Sequence, residues 1–326
     1  MLFIEHYSVA FDFHKKLLSC WLKTKIHGVN RTNNICNYCN DSKCLNTKTE
    51  NYGPIDRKIK KFFSINKIDK LLSAQPKELL AIHNNYSLLK ISNDPDKDEA
   101  LKKILEDLFR LTGYKRFFQK THGRNFLNLL NRSTCTYCNR NYTLNISKNH
   151  ASAQLDHWFP KDKFPILALS FYNLIPSCGS CNHIKGSSKD LSWWKNVALD
   201  EMLHPYFPEP DALFKFDFRF ERSKDEFEVL FRDVKGGKTQ QTLNFNKTKQ
   251  IYQAHANLEL RDLYNLRKKY PKNYLKHLLE NMLSGHINEV EKYRLIFGIE
   301  KNEKDYHKRP FSKFKNDIIE KLLEMS

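Results

Sequence analysis

The stretch from Cys135 to Lys185 decides the fold. It opens with Cys135-Thr-Tyr-Cys138, passes through Leu155-Asp156-His157-Trp158-Phe159-Pro160 and closes with Asn173-Leu-Ile-Pro-Ser-Cys178-Gly-Ser-Cys181-Asn182-His183-Ile-Lys185. It therefore contains two Cys-x-x-Cys pairs, and each pair is the kind of knuckle that supplies two thiolates to a tetrahedral zinc ion. The spacing predicts a structural zinc site formed by Cys135, Cys138, Cys178 and Cys181.

Polar residues between and just after the knuckles predict a second kind of chemistry. Asp156 and His157 follow Ala153-Gln154-Leu155, a short segment that favours a strand, and Asn182 follows the last cysteine, where a helix normally begins. A carboxylate and an amide oxygen suit a hard divalent cation such as Mg²⁺. An imidazole beside them can take a proton from water near neutral pH. A knuckle that only stabilises a small domain is the alternative, and it leaves these residues unexplained.

The segment resembles the HNH endonucleases of the ββα-metal superfamily, in the variant whose last motif residue is Asn. Zinc-containing members have the same order of Cys-x-x-Cys, Asp-His, Asn-Leu and Cys-x-x-Cys-Asn-x-x-Lys, and the resemblance covers roughly residues 131–190. It implies that His157 is the general base and that Asp156 and Asn182 hold a catalytic Mg²⁺ or Mn²⁺. It also implies that Asn173 orients the loop around His157.

Three further residues are candidates for the site. His183 directly follows Asn182, and many relatives have His at the ligand position, so the ligand assignment has an alternative one residue away. We expect Asn182, because its place right after the cysteine is the family's ligand position. Lys185 is a candidate contact for a flanking phosphate, with a solvated lysine as the alternative. His204 is a candidate for an extra imidazole at the site, with a structural role in a Pro/aromatic turn as the alternative.

Composition favours a nucleic-acid partner. The 326 residues include 55 Lys and Arg against 37 Asp and Glu, which gives a formal net charge of +18. Such an excess is typical of proteins that bind polyanions, although a solvated lysine-rich surface has the same composition. We expect DNA, with RNA as the alternative. Basic clusters at Arg267-Lys268-Lys269 and at Lys313 and Lys315 are candidates to line a phosphate-facing groove.

The sequence indicates a cytoplasmic protein with no membrane partner. No apolar run approaches the roughly 20 residues that a membrane span needs. The start, Met1-Leu-Phe-Ile-Glu5-His6, lacks the basic residues and long apolar core of a signal peptide. Eight cysteines, half of them in the paired knuckles, favour a reducing compartment over disulfides.

A second cysteine group precedes the main one. Cys36-Asn-Tyr-Cys39, with Cys44 close behind, has the same Cys-x-Tyr-Cys pattern as Cys135-Thr-Tyr-Cys138. A second zinc site is therefore a hypothesis, with Cys20 or His27 as the fourth ligand. Reduced thiols in a polar loop are the alternative.

The remaining pattern predicts an α+β protein that is mainly helical, with the zinc-containing ββα core near its middle and a β-hairpin after it. Phe214, Phe216, Phe218 and Phe220 alternate with charged residues, and the alternation resumes at Phe227, Val229 and Phe231. We expect this aromatic face to pack on a helix, with a platform for stacked bases as the alternative. A further helix is predicted from Tyr274 to Met282. The predicted domains are a helical region at 1–130, the core at 131–206, and a hairpin with helices at 207–326.

The expected function is metal-dependent hydrolysis of phosphodiester bonds, with structural Zn²⁺ and catalytic Mg²⁺ or Mn²⁺. A zinc-dependent nucleic-acid-binding module without catalysis is the alternative, and a structural protein with an inactive nuclease core is a third reading. Free-standing HNH proteins of this kind resemble the nuclease effectors of bacterial anti-phage systems, including those paired with an ATPase. The resemblance therefore implies an ATPase or another defence protein as a partner.

Overall fold

The structure is a computed structural model that describes residues 3–5, 7–44, 46, 55–147, 150–151, 153–186, 189–210, 212–270 and 287–324. The helix predicted from Tyr274 to Met282 lies outside the described residues. Within them, no helix is both long enough and apolar enough to cross a membrane.

The described chain is mainly helical, as predicted. Its helices are α1 (Ser8–His27), α2 (Arg57–Phe62), α3 (Ile65–Ser73), α4 (Pro76–Ser87), α5 (Pro95–Asp107), a π-helix (Leu108–His122), α6 (Gly123–Leu130), α7 (Gly179–Gly186), α8 (Leu191–Asn196), α9 (Ala198–Glu201), α10 (Gly237–Phe245), α11 (Thr248–Gln253), α12 (Ala256–Lys269), α13 (Glu289–Phe297) and α14 (Ser312–Glu324). Short 3-10 helices span Pro165–Leu167, Phe171–Asn173 and Glu303–Lys308.

The strands form separate antiparallel pairs. The pairs are β1 (Arg31–Thr32) with β2 (Ile35–Cys36), β3 (Asn145–Ser147) with β4 (His150–Ala151), β5 (Gln154–His157) with β6 (Leu174–Ser177), and β7 (Lys215–Glu221) with β8 (Glu226–Arg232). The order β5, β6, α7 is the ββα unit predicted around the cysteine knuckles.

The predicted hairpin is β7 and β8. Its register pairs Phe216 with Phe231 and Phe218 with Val229, so the alternating apolar residues share one face. That face is covered by helices, because Phe216 contacts Phe314 of α14 with ring centroids 5.0 Å apart. The aromatic residues therefore form core, as expected, and are not a platform for stacked bases.

A continuous helical run from Pro95 to Leu130 brings the chain to the first knuckle. It starts at the N-cap Asp94, whose side chain accepts hydrogen bonds from the backbone of the first turn, with proline at the first helical position. Its middle is the π-helix. This conformation is rare in proteins overall, and where it occurs it often lies at a functional site. It ends at Asn131, which takes the left-handed conformation (φ 49°) that turns the chain away from the helix axis.

Two hydrophobic cores organise the described chain. The larger contains buried side chains from Ile4 to Tyr206, so it draws on both the predicted N-terminal region and the predicted zinc-containing core. The smaller contains buried side chains from Phe214 to Leu322 and lies under the hairpin. Aromatic contacts connect α1 to the loop before β6, as between Phe11 and Phe171 at 5.0 Å. The division into three domains stays a prediction.

Asn139 connects the first knuckle to the C-terminal helices. It follows Cys138 directly and has a left-handed backbone (φ 48°). Its buried amide group donates hydrogen bonds to the carbonyl oxygens of Tyr306 and Arg309, at 2.8 and 3.1 Å. Its own carbonyl oxygen accepts from the backbone N–H of Phe311 at 2.7 Å. These bonds hold the start of α14 against the zinc knuckle.

The buried histidines should make the fold sensitive to acid, and His14 offers the cleanest test. It is fully buried between Phe118 and Phe171, and burial lowers its pKa to about 3. The unfolded chain binds the proton near pH 6.5, so the free energy of unfolding should fall as pH drops from 6.5 towards 3. His14→Phe should reduce that slope by about 1.4 kcal/mol per pH unit. Denaturant unfolding of both proteins between pH 5 and 7 measures it, and equal slopes would contradict it.

Candidate active site

The four predicted zinc ligands come together. The Sγ atoms of Cys135, Cys138, Cys178 and Cys181 all lie within 4.8 Å of one another, and the four side chains are buried. Tetrahedral Zn–S bonds of about 2.3 Å would place the sulfur atoms about 3.8 Å apart. The cluster therefore fits a structural zinc ion that fixes the first knuckle to the turn between β6 and α7.

A second cluster of the same kind forms from Cys20, Cys36, Cys39 and Cys44, whose Sγ atoms also lie within 4.8 Å of one another. Cys20, on α1, supplies the fourth thiol, with its Sγ 3.5 Å from that of Cys44. The other candidate, His27, instead has its Nε2 2.7 Å from the carbonyl oxygen of Phe63. Both tetra-cysteine clusters thus fit zinc.

The β5–β6 pair presents the polar residues of the motif. Asp156 pairs with Ile175 and His157 with Leu174, so the two candidate side chains emerge on opposite faces of β5. A hydroxyl from outside the pair holds β5 in place, because Tyr114 of the π-helix donates to the carbonyl oxygen of Leu155 at 3.0 Å.

His157 is held in a defined tautomer. Its Nε2 lies 3.1 Å from the carbonyl oxygen of Ala168, which can only accept, so Nε2 carries the hydrogen and Nδ1 presents a lone pair. Nδ1 makes no hydrogen bond with the described residues. The ring packs edge-on against Tyr114, with centroids 4.3 Å apart. Burial, together with the charges of Lys161 and Lys185, lowers the pKa of His157 to about 3, so the ring is neutral near pH 7.

Asn173 fixes the loop that receives His157. Its Oδ1 accepts from the backbone N–H of Phe159 at 2.6 Å, and its Nδ2 donates to the carbonyl oxygens of Phe159 and Leu167 at 3.2 and 3.0 Å. Leu167 directly precedes Ala168, whose carbonyl oxygen accepts from His157. The side chain is buried, and its orienting role stays a prediction.

The same loop also needs a glycine in the π-helix. A Cβ atom on Gly113 would lie 2.8 Å from Leu169 Cδ1 and 3.0 Å from the carbonyl oxygen of Leu108. Only glycine therefore lets the π-helix approach the loop this closely. That approach places the neighbouring Tyr114 against His157.

Asp156 is held through one of its two oxygens. Its Oδ2 accepts from the Tyr137 hydroxyl at 2.6 Å and lies 2.9 Å from Lys185 Nζ. Its Oδ1 has no partner among the residues that the structure describes. Lys185 Nζ also donates to the carbonyl oxygen of His157 at 2.5 Å and lies over the ring of Trp194.

Asn182 lies beside the same strand. Its Nδ2 donates to Gln154 Oε1 at 2.8 Å, which leaves the amide oxygen as the free end of the side chain. Gln154 and Asp156 are two residues apart on β5 and share a face. His183 is exposed on α7, and no described contact joins it to β5. The choice of Asn182 over His183 as the ligand stays a prediction.

Lys185 is buried, whereas His204 lies among aromatic residues, the surroundings that its structural alternative describes. Lys185 is 2% exposed and is therefore not a solvated lysine. Its ammonium group contacts the Asp156 carboxylate and the carbonyl oxygen of His157, so it is not a surface phosphate contact either. His204 lies in an aromatic cluster, 5.0 Å from Trp158 and 5.2 Å from Phe207 between ring centroids. Burial lowers its pKa to about 3. No described contact joins it to Asp156.

Three residues of the site escaped the sequence interpretation. Tyr137 lies inside the first knuckle, and its only signal in the sequence is that a tyrosine holds the same place in the second cysteine group. Gln154 lies two residues before Asp156 and therefore on the same face of the strand, so the alternation along the strand could have identified it. Tyr114 lies on a helix far away in the chain, and nothing in the sequence connects it to His157.

Comparison with known proteins agrees with this geometry. Residues 135–188 match the model of the HNH endonuclease family. The match confirms the resemblance predicted from the sequence. The chain is also 27% identical over 106 residues to the Septu protein PtuB of Bacillus thuringiensis, an alignment that covers 30% of this chain and 37% of that protein. The chain thus spans little more than a third of the relative it matches. No solved structure matches the chain.

Zinc content should test both clusters separately. We expect two zinc ions per chain by elemental analysis, one in each tetra-cysteine cluster. Cys135→Ser should lose one zinc and most of the folded protein, because a four-thiolate site contributes directly to folding. Cys36→Ser should also lose one zinc, with the β5–β6 pair and α7 intact. A folded wild-type chain without zinc would contradict both sites, and one zinc per chain would contradict the second.

Proposed function

We propose that the chain is a metal-dependent endonuclease that hydrolyses phosphodiester bonds of DNA. The observation that carries the proposal is the arrangement on β5. A neutral His157, with Nδ1 available, adjoins Asp156, whose Oδ1 has no described partner. The HNH family match over residues 135–188 supports it.

In this proposal His157 is the general base. Its Nε2–H bond to Ala168 fixes the ring, so Nδ1 accepts the proton of the attacking water. Asn173 keeps the Ala168 carbonyl group in place through its bond to Leu167. The expected products have 5′-phosphate and 3′-hydroxyl ends, as the family resemblance implies.

Asp156 and Asn182 would hold the catalytic Mg²⁺ or Mn²⁺. Each offers one unpartnered oxygen, the Oδ1 of the carboxylate and the amide oxygen, and such donors fit a hard divalent cation. The bound ion would neutralise the charge that develops on the phosphate and on the departing 3′ oxygen.

The basic side chains nearest in sequence to Tyr114 support a path for the nucleic-acid backbone. Lys115, Arg116 and Lys120 are exposed on the π-helix and make no ion pair with the described residues. Of the two clusters singled out in the sequence, the one at Lys313 and Lys315 is less suitable, because Lys313 pairs with Asp317 and Lys315 with Glu259. We therefore propose that the π-helix contacts phosphates.

We further propose a role in bacterial anti-phage defence, with an ATPase as the partner protein. The similarity to the Septu protein PtuB supports the defence role. Bacteria that express the chain together with its neighbouring genes should resist phage infection, and His157→Ala should abolish the resistance. Resistance that survives His157→Ala would contradict a nuclease effector.

The decisive variants are those of the motif. His157→Ala should keep fold, zinc and DNA binding but lose cleavage by on the order of 10²–10⁴-fold, because the proton acceptor is gone. Asp156→Ala and Asn182→Ala should also be inactive, and high Mn²⁺ should partly restore them, because a weakened site still fills at higher metal concentration. Plasmid cleavage across a Mg²⁺ and Mn²⁺ series measures all three.

His183→Ala is the control for the ligand assignment and should keep substantial activity. If it is as inactive as Asp156→Ala while Asn182→Ala still cuts, the ligand is His183. If the wild-type protein binds DNA in a zinc-dependent way and never cuts it, the binding module without catalysis is the correct function. RNA substrates in parallel decide between the two nucleic acids.

Salt dependence should identify the phosphate contacts. Replacing Lys115, Arg116 and Lys120 by Gln should reduce the slope of log affinity against log salt by about 2.7 on duplex DNA, which is roughly 0.9 per lost contact. The same charge removal at Arg57, Lys58 and Lys61 of α2 is the matched control and should change the slope much less. Binding of His157→Ala protein, measured by fluorescence anisotropy, gives the slopes. Equal slopes in both triple variants would contradict the π-helix as the contact surface.

A further inference from the structure

Both halves of the main cysteine cluster deliver a donor to the same carboxylate oxygen. Tyr137 lies between Cys135 and Cys138, and its hydroxyl donates to Asp156 Oδ2 at 2.6 Å. Lys185 lies on α7, which starts within the second knuckle, and its Nζ is 2.9 Å from the same oxygen. Both side chains are nearly fully buried. The position of Asp156 is therefore tied to the cluster from two sides.

The lysine has little freedom to move. Its ammonium group also donates to the carbonyl oxygen of His157 and lies 5.1 Å from the ring centroid of Trp194. Charge-assisted hydrogen bonds of this length are among the stronger ones in proteins. With Tyr137 and Lys185 on Oδ2, the carboxylate is held in one orientation and Oδ1 is its remaining oxygen.

We propose that Tyr137 is a positioning residue that, together with Lys185, limits Asp156 to one metal-binding oxygen and so sets the affinity of the catalytic divalent ion. The proposal rests on the function proposed above. Without the Tyr137 hydroxyl, Oδ2 keeps only the lysine, and the carboxylate gains freedom to rotate about its terminal bond. Partners that orient metal ligands typically contribute 10–100-fold to metal affinity.

The second cysteine group supplies a matched control. Tyr38 holds the place between Cys36 and Cys39 that Tyr137 holds between Cys135 and Cys138. Its hydroxyl donates to the carbonyl oxygen of Gly28 at 3.2 Å and has no described contact with Asp156. Tyr38→Phe therefore removes the same atom from an equivalent knuckle, and Tyr137→Phe removes it beside the carboxylate.

The test is direct Mn²⁺ binding to the zinc-loaded chain, followed by electron paramagnetic resonance, with Asp156→Ala to define the signal of the site. Tyr137→Phe should raise the Mn²⁺ Kd about 10- to 100-fold, with zinc content and DNA binding unchanged. Tyr38→Phe should bind Mn²⁺ like the wild type. In cleavage assays Tyr137→Phe should need more Mg²⁺ for half-maximal rate and should approach the wild-type rate at saturation.

Wild-type Mn²⁺ affinity in Tyr137→Phe, or an equal loss in Tyr38→Phe, would overturn the inference. If Tyr137→Phe fails to retain zinc, Lys185→Gln decides in its place, because it removes the other partner of Oδ2 and should weaken Mn²⁺ binding in the same way. A wild-type protein that binds Mn²⁺ at Asp156 but never cleaves would refute the proposed function alone, since the binding constants still decide the role of Tyr137. A wild type with no Mn²⁺ signal that depends on Asp156 would refute both.

Discussion

The four thiolates at the main knuckles constrain everything else in the site. They join the segment before β5 to the turn between β6 and α7, at the end of the β5–β6 pair where Gln154 pairs with Ser177. A two-stranded pair of this length is marginal by itself in water. Zinc bound to four thiolates contributes its binding free energy to folding, and that contribution can hold such a small unit rigid. The precision of Asp156 and His157 therefore depends on the cluster.

The surrounding helices, together with the cysteine cluster, hold β5 and the loop before β6 in place. Tyr114 packs on His157 and bonds to β5, and Gly113 beside it permits the close approach to the loop at Leu169. These contacts belong to the large core that α1, the π-helix and the motif share. The small ββα unit is thus packed into a larger helical body, and the loop that contacts His157 is supported from outside the motif.

How much the sequence predicts depends on whether a constraint is local. The cysteine pairs could be recognised in the sequence because a zinc site demands fixed spacings. The Asp-His dipeptide and the Asn after the last cysteine could be recognised because they follow the order of the HNH family. The burial of Lys185 was not predictable, since it depends on Trp194 and Asp156 meeting it in three dimensions. The contact of Tyr114 with His157 leaves no trace in the sequence for the same reason.

The second cysteine group shows why the sequence could not identify the fourth zinc ligand on α1. Cys20 and His27 are seven residues apart on α1 and therefore lie on nearly the same face, so helical periodicity could not choose between them. The choice depends on where the chain after Gly28 folds back. It brings Cys36 and Cys44 to Cys20, while His27 turns to the carbonyl group of Phe63.

The burial of His157 has a consequence for the proposed chemistry. A pKa lowered to about 3 keeps the ring neutral, which a base requires, but it also makes the ring a weak proton acceptor. The lowering comes mainly from the absence of water and secondarily from the positive charges of Lys161 and Lys185. A phosphodiester bound beside the ring would add negative charge and a divalent ion on Asp156 would add positive charge, and these two charges act on the pKa of His157 in opposite directions.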